Sequence, residues 1–526
     1  MKRVPYLVDV MNLRQRVVFY ILLSLWLFFV AVFWIWWLDP SHVVGKLSFV
    51  FNSLLIAWNM LMPAYFFFFA SRMKKPNPAL PIPDDLRVAM VVTKAPSEPF
   101  EIVKKTLTAM LNQKYPHDTW LADENPTDEV IAWCKQKRVF ISTRKGVVEY
   151  HRENWPRRTK CKEGNLAYFY DRWGYDNYEF VVQMDADHVP EQGYLEEMLR
   201  PFANPRVGYV SAPSICDANT DKSWAARARL YSEATLHGPL QAGYNSGWAP
   251  LCIGSHYAVR TKALKEIGGL GPELAEDHST TLMMNSFGWK GVHAFEAIAH
   301  GDGAGSFPDS MIQEFQWTRS LVIILLTITP KYIKSLPLKL KVQFLFSQLW
   351  YPLFSTTMVF AYGLPIFAIL TNRPWANVTY ITFSFISWLT TIVALGITLW
   401  IKKIQLLRPV NSKIISWETF IFQIVRWPWI LAGVLYGLLA GLSRKEVSFK
   451  VTTKGESGKK PLPIFMLTPY LLIIILSSYI TLLGNASNRV YGYYYFAILN
   501  ALTYTLSLFA IIGNHLRENK LYGENK

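Results

Sequence analysis

Two apolar runs near the start of the chain, Val17–Leu38 and Leu47–Ala70, are each long enough to cross a bilayer as a helix, and further apolar runs return after Trp317. Helices apolar on every side must be covered by lipid or by protein, which rules out a simple soluble domain. Between them the pattern changes. From Leu86 to about Asp309, short apolar runs (Val88–Val92, Val139–Ile141, Phe180–Met184, Val207–Val210) alternate with helical patterns, the signature of an α/β domain. An α/β domain inserted between transmembrane α-helices is the architecture expected.

With 526 residues there is room for both parts, and 51% hydrophobic and 15% aromatic residues suit a membrane protein. The excess of 54 Lys and Arg over 38 Asp and Glu fits positive-inside loops and anionic headgroups. No zinc finger or basic–aromatic strand argues for nucleic acid as a partner. Cys134, Cys161, Cys216 and Cys252 form no CxxC pair and are expected as reduced cytosolic thiols. Arg14 and Arg16 precede Val17–Leu38 like the start of a signal sequence, but the run is too long and lacks a small-x-small site, so a retained helix is expected.

Loop charge then orders the segments. Residues 1–75 hold two transmembrane helices, 76–309 the cytosolic domain, 310–342 interfacial helices and 343–403 a second transmembrane pair. Residues 463–526 hold a third pair. The stretch 404–442 is hydrophobic enough to cross, but crossing would carry the basic loop 443–462 outside, and Arg426-Trp427-Pro428-Trp429 interrupts it. It is read as interfacial or re-entrant, leaving six spans with both termini cytosolic, at the plasma (inner) membrane.

Asp185-Ala186-Asp187 directly follows Phe180–Met184, at the carboxyl end of a strand, where open α/β sheets bind ligands. Two hard oxygen donors there suit Mg²⁺ or Mn²⁺ holding a diphosphate. Asp123 follows another apolar run and can accept hydrogen bonds from a nucleoside; it can equally be a loop residue. Lys162-Glu163-Gly164-Asn165 can bring an ammonium towards phosphates or form a turn. Asp277, in Glu276-Asp277-His278, can cap the helix expected at Ser279–Phe287, or take a proton from an acceptor hydroxyl. Trp317 can anchor at the interface or stack on a sugar. Phe449–Gly455 sets Thr452, Thr453 and Lys454 beside a glycine, as a lid over a diphosphate would.

Together these residues resemble the processive family-2 glycosyltransferases of membranes, the cellulose synthase-like group. The resemblance implies a GT-A glycosyltransferase domain, a UDP-sugar donor, a divalent cation and a growing polysaccharide acceptor secreted through the protein's own channel. It assigns Asp123, Lys162, Gln313 and Gln316 to the donor, and Asp185 and Asp187 to the metal, Asp185 also serving the donor. It makes Glu276 and Asp277 catalytic, with Asp277 the base. Cys252, Gly254, Ser255 and Trp317 go to the acceptor, and Thr452, Thr453 and Lys454 to a gating loop over the donor. That loop points to a β-glucan from UDP-glucose, with accessory export subunits as further partners.

Three departures stand out. Gln316 replaces the arginine of the family's QxxRW, and Arg319, on the same helical face, is the expected substitute. Ala275 begins what is a TED motif elsewhere. Only His515–Lys526 follow the last span, too few for a cyclic-dinucleotide-binding domain. Other readings stay open: single-sugar transfer to a lipid carrier, another donor (UDP-GlcNAc or GDP-mannose), or a transporter with an inactive domain.

Overall fold

A computed structural model describes residues 5–159, 161–443, 461–483 and 490–524. Its catalytic-type domain is built on a seven-stranded mixed sheet: β1 (Val88–Lys94), β2 (Asp118–Asp123), β3 (Phe140–Ser142), β4 (Phe180–Met184), β5 (Val207–Ser211), β6 (His256–Arg260) and β7 (Lys290–His293). The strand order is β7-β5-β6-β4-β1-β2-β3, with β6 antiparallel to both neighbours and every other pairing parallel. The apolar runs expected as strands are strands, within two residues at either end.

Alternation along β1 explains the two cores. Val88, Met90 and Val92 point to one face with Leu107 and Met110, while Ala89 and Val91 point to the other with Phe169, Tyr209 and Tyr257. Burial on both faces leaves the carboxyl ends of the parallel strands as the open edge, which is where the polar residues gather.

The membrane part begins with helices Leu13–Trp37 and Lys46–Ala70, the first closed by a capping box between Asn12 and Gln15. Strand Leu7–Asp9 pairs with Lys74–Pro76 and ties both ends of this hairpin to the catalytic-type domain. Far from that domain, Asn377 reaches Ser41 and His42, beside a cluster of Phe33, Trp37, Phe49 and Ala376. Six helices are long and apolar enough to cross a membrane by length and composition, so this is a multi-pass membrane protein. The set differs from the one expected. It contains Trp417–Ser443, and Thr468–Leu482 is shorter.

Packing explains what Trp417–Ser443 does. It is two helices, Trp417–Val425 and Trp427–Ser443. Pro428 has no N–H to give to the Ile424 carbonyl, so the ladder breaks where the sequence suggested. Two tyrosines repair it: Tyr504 donates to Ile424 O at 2.7 Å and Tyr470 to Val425 O at 2.8 Å. The second helix then runs beside helix Phe307–Thr327. A Cβ on Gly433 would lie 2.7 Å from the Phe315 carbonyl, one on Gly437 2.8 Å from Val322, and one on Gly441 2.8 Å from Leu326. Glycines four apart therefore let the two helices touch along this length. The carboxyl end of helix Tyr491–Glu524 returns to the catalytic-type domain, where Glu518 accepts from the Trp224 N–H at 2.6 Å.

Candidate active site

β1 ends at Lys94, β2 at Asp123, and Asp185 comes directly after β4, so three neighbouring parallel strands deliver polar groups to one edge. Asp123 is fully buried; Lys94 Nζ lies 3.2 Å from its Oδ2 and the Asn125 N–H donates to its Oδ1 at 2.9 Å. Burying one partner alone would leave an uncompensated charge, so the pair is fixed together.

Helix Lys162–Phe169 is locked against this edge from several sides. Asn165 donates to the Ala122 carbonyl at 2.9 Å, beside Asp123. Glu163 accepts the N–H groups of Arg157 and Arg158 at 2.8 and 3.0 Å, and burial pushes its carboxyl above the ordinary range. Fully buried Arg144 pairs with Glu124 and donates to the carbonyls of Tyr150 and Arg158 at 2.6 and 2.7 Å. Only glycine fits at position 164, because a Cβ there would sit 2.0 Å from the Arg158 carbonyl oxygen. The outcome is a placed ammonium: Lys162 Nζ lies 2.7 Å from Asp185 Oδ1 and 2.5 Å from the Gly254 carbonyl.

Asp185, Asp187 and His188 bring ligand atoms within 4.8 Å of one another. The two carboxylates are hard oxygen donors that fit Mg²⁺ or Mn²⁺, and the imidazole lies close enough to join them on Mn²⁺. Asp187 also faces His188 Nδ1 at 3.2 Å. A small sheet of Val189–Pro190, Ala299–His300 and Ser214–Ile215 follows at once and holds this turn, and Ser255 reaches Ser214 at 2.9 Å.

Asp277 stands in the first turn of helix Glu276–Ser286. The cap position is Ala275, with no side-chain hydrogen bond, so Asp277 is not the N-cap residue. Its Oδ1 accepts the His278 N–H at 2.8 Å, and its Oδ2 would lie 3.4 Å from a Cβ on Gly254. Gly254 thus touches Lys162 through its carbonyl and faces Asp277 across its bare α-carbon. Burial raises the pKa of both Glu276 and Asp277; the neighbouring carboxylate adds to the rise at Glu276, and Lys162 opposes it at both. Glu276 Oε1 is buried without a hydrogen-bond partner among the described residues.

Helix Phe307–Thr327 carries Gln313, Gln316, Trp317 and Arg319. Ser320 accepts the Ala275 N–H at 3.0 Å, and Gln316, one turn earlier, shares that buried face. Arg319 is buried as well; burial holds its pKa below the usual arginine range, Glu273 opposes and Arg158 adds to the effect. Gln313 and Trp317, one turn apart on the same helix, meet Arg229 instead. Gln313 accepts from Arg229 at 2.8 Å, and the Arg229 guanidinium stacks 3.8 Å from the Trp317 ring centre. The Cys252 side chain is buried in the core with Tyr209 and Tyr257, and burial pushes its thiol up. Thr452, Thr453 and Lys454 lie outside the described residues.

Lys94, Arg144, Glu163, His188 and Arg229 are site residues that sequence reasoning passed over. Glu163 sat inside a motif already marked and His188 directly after one, which was signal enough. Arg144 and Lys94 find their partners through the fold alone.

Residues 180–508 match the family described as Glycosyl transferase family group 2, and residues 91–268 match Glycosyl transferase family 2. The chain belongs to glycosyl transferase family group 2. A UDP-forming cellulose synthase catalytic subunit of Pseudomonas fluorescens (strain SBW25) is 25% identical over 283 residues, which is 52% of this chain and 35% of that protein. A glucans biosynthesis glucosyltransferase H of Pseudomonas putida (strain W619) is 30% identical over 197 residues, 32% of this chain and 21% of that one. The match to the first therefore spans about a third of that relative's length, and the match to the second about a fifth. The mannosyltransferase PcManGT from Pyrobaculum calidifontis, solved with GDP-Man and Mn²⁺, superposes with a TM-score of 0.48 at 14% identity, covering 76% of this chain and 99% of that one.

Proposed function

We propose that the protein polymerises a nucleotide sugar, UDP-glucose in the first instance, into a β-glucan with inversion, and passes the product through its own membrane helices. The observation that carries this reading is the meeting at Gly254 of a cation arm and a base. Lys162 bonds both Gly254 and Asp185, while Asp277 faces the same glycine.

In this reading Asp277 takes the proton from the acceptor hydroxyl. Burial raises its pKa towards the working pH, as a general base requires. Lys162 binds the donor diphosphate and orients it. Asp185 and Asp187, with His188, would hold Mg²⁺ or Mn²⁺, which when bound neutralises charge on the leaving diphosphate. Asp123, fixed by Lys94, takes the nucleoside. Arg319, with Arg158, supplies the positive charge that Gln316 does not. Trp317 stacks on the acceptor sugar beside Gly254 and Ser255, and Thr452, Thr453 and Lys454 close over the donor.

The catalytic domain and both termini lie on the cytosolic side of the plasma (inner) membrane in this reading. Trp417–Ser443 lies along that surface, supported by its packing beside helix Phe307–Thr327, whose Ser320 touches the catalytic helix. Thr468–Leu483 then crosses with its far end beside Ile369, supported by the cluster of Ile369, Ile480 and Ala497. The partners are the UDP-sugar, the growing glucan, the bilayer and accessory export subunits.

The test is a donor screen on purified protein in nanodiscs, with labelled UDP-glucose, UDP-GlcNAc, UDP-glucuronate and GDP-mannose plus Mg²⁺ or Mn²⁺. Long polymer from UDP-glucose, cut by a β-1,4- or β-1,3-glucanase, is expected. A product carrying one sugar on a lipid would overturn processivity, and polymer from another donor alone would overturn the choice of glucose.

A further inference from the structure

Trp317 does not stand alone. The Arg229 guanidinium carbon sits over its ring, 3.8 Å from the centre, and two further contacts hold that guanidinium. Arg229 Nε pairs with Glu233 Oε1 at 3.0 Å, one helical turn along, and Nη1 donates to Gln313 Oε1 at 2.8 Å. Gln313 and Trp317 are themselves one turn apart on helix Phe307–Thr327. Arg229 is thus the hub of contacts that join two helices, and Glu233 opposes its charge.

The helix that carries Arg229, Trp224–Thr235, is in turn held by membrane segments. Glu518 accepts the Trp224 N–H at 2.6 Å, and Arg227 pairs with Glu418 at 3.1 Å. The Trp224 ring stacks between Phe307 and Trp417 at centroid distances of 5.8 and 5.9 Å. The last membrane helix, the Trp417 helix and the Trp317 helix therefore meet on one short segment of the catalytic domain.

We infer that Arg229 is a positioning residue for the acceptor: it covers one face of Trp317, so that a glucan chain can stack only on the opposite face, and it sets that face relative to the membrane helices. This rests on the proposed function, through the assignment of Trp317 to the acceptor. A cation over an indole holds the ring against tilting, and the attraction depends on the planar guanidinium as well as on its charge. A lysine keeps the charge and loses the flat stack.

The experiment compares full-length wild type, Arg229→Ala, Arg229→Lys, Trp317→Ala and the double variant Arg229→Ala/Trp317→Ala in nanodiscs. Polymer from UDP-glucose is measured for rate, donor KM and chain length. Cellotetraose binding is measured by calorimetry, which needs no turnover. Arg229→Ala is expected to weaken cellotetraose binding and slow polymerisation by about tenfold, the scale of a partly desolvated cation–π contact, and to shorten the product. Donor KM is expected to stay within about twofold, because Lys162, Asp185 and Asp123, the groups proposed for the diphosphate and the nucleoside, are held by one another and by Gly254, Lys94 and Asn125. Arg229→Lys stays impaired, and adding Arg229→Ala to Trp317→Ala costs little more. Wild-type behaviour of Arg229→Ala, full rescue by lysine, or an equal cost in both backgrounds would overturn the inference while leaving the glucan synthase reading intact. A wild type that neither polymerises UDP-glucose nor binds cellotetraose would overturn the reading and the inference with it.

Discussion

Lys162 Nζ lies 2.7 Å from Asp185 Oδ1, so a protein ammonium already occupies the carboxylate proposed for the cation. The two positive charges compete for one oxygen, and a diphosphate is what would let both stay. Lys162→Met is therefore expected to act in opposite directions on two ligands. Mn²⁺ binding without nucleotide tightens, because Asp185 is relieved of its ion pair. The KM for UDP-glucose rises about tenfold or more, the scale of one lost charge-assisted hydrogen bond. Titration calorimetry for Mn²⁺ and initial rates for the donor read the two arms, and a parallel loss of both would mean that Lys162 merely supports the fold.

Glu276 and Asp277 are buried side by side with raised pKa values, which makes them a cost to the folded state at neutral pH. Between the ordinary carboxylate value and the raised one, the folded chain binds more protons than the unfolded chain, so stability falls as pH rises through that window. Glu276→Gln and Asp277→Asn remove the cost. At pH 8 each is expected to raise the thermal midpoint by about 2–4 °C, the shift that roughly 1 kcal/mol gives in a domain of this size, and at pH 4 to give no gain. Asp277→Asn loses turnover by about a hundredfold or more. Wild-type turnover should fall on the acid side at a pH above the ordinary carboxylate range. A midpoint at pH 8 that does not move in either variant would contradict this account.

Gly164 and Gly363 offer a matched pair. A Cβ at Gly164 would meet the Arg158 carbonyl oxygen at 2.0 Å and Arg144 Nη1 at 2.3 Å, whereas nothing lies within 4 Å of one at Gly363. Gly164→Ala is expected to cost about 1–3 kcal/mol by overpacking and to displace Lys162, so that donor KM rises along with it. Gly363→Ala is expected to be neutral or to stabilise by about 0.5–1 kcal/mol through helix propensity. Thermal unfolding and donor kinetics on both variants check the contrast.

What could be read from the sequence, and what could not, follows from how far apart the partners lie along the chain. Asp185 and Asp187 were legible because strand β4 immediately before them is an apolar run, and strand periodicity is local information. Gly164 could be suspected in Lys162–Asn165, but its reason, the carbonyl of Arg158 held by Arg144, requires knowing where β2 and its neighbours pass. Lys94 and Asp123 meet only because β1 and β2 are adjacent parallel strands, and Arg229 reaches Trp317 across 88 positions. The break at Arg426-Trp427-Pro428 was visible as a proline in an apolar run. Its repair by Tyr470 and Tyr504 was not, since tyrosines in apolar helices usually mark interfaces.

Asp187 and His188 test the cation site without relying on turnover. The expected ligands were the two aspartates, and the geometry adds the imidazole. Asp187→Asn and His188→Ala are each expected to weaken Mn²⁺ binding at least about tenfold, the usual cost of losing one group at such a site, as measured by electron paramagnetic resonance of free Mn²⁺. A chelator is expected to stop sugar transfer and added Mn²⁺ to restore it. Unchanged binding in His188→Ala would return His188 to a purely structural partner of Asp187.

Tyr504 gives the sharpest test of the membrane region, because its partner is a carbonyl orphaned by a proline. Its hydroxyl donates to Ile424 O at 2.7 Å and accepts from Trp427 Nε1 at 2.7 Å. Tyr504→Phe removes both bonds inside an apolar surround and is expected to cost about 1–3 kcal/mol. Pro428→Ala returns an N–H at the position that Ile424 O would bond in an unbroken helix. In the Tyr504→Phe background that N–H has an unsatisfied acceptor waiting, so Pro428→Ala should recover part of the loss. In wild type the acceptor is already satisfied, and straightening the helix pulls Gly433 and Gly437 away from helix Phe307–Thr327, so the same change should be neutral or harmful. Thermal unfolding of the two singles and the double in nanodiscs gives the coupling directly. Equal effects of Pro428→Ala in both backgrounds would mean that the hydroxyl and the carbonyl do not share the bond on which the packing of Trp427–Ser443 depends.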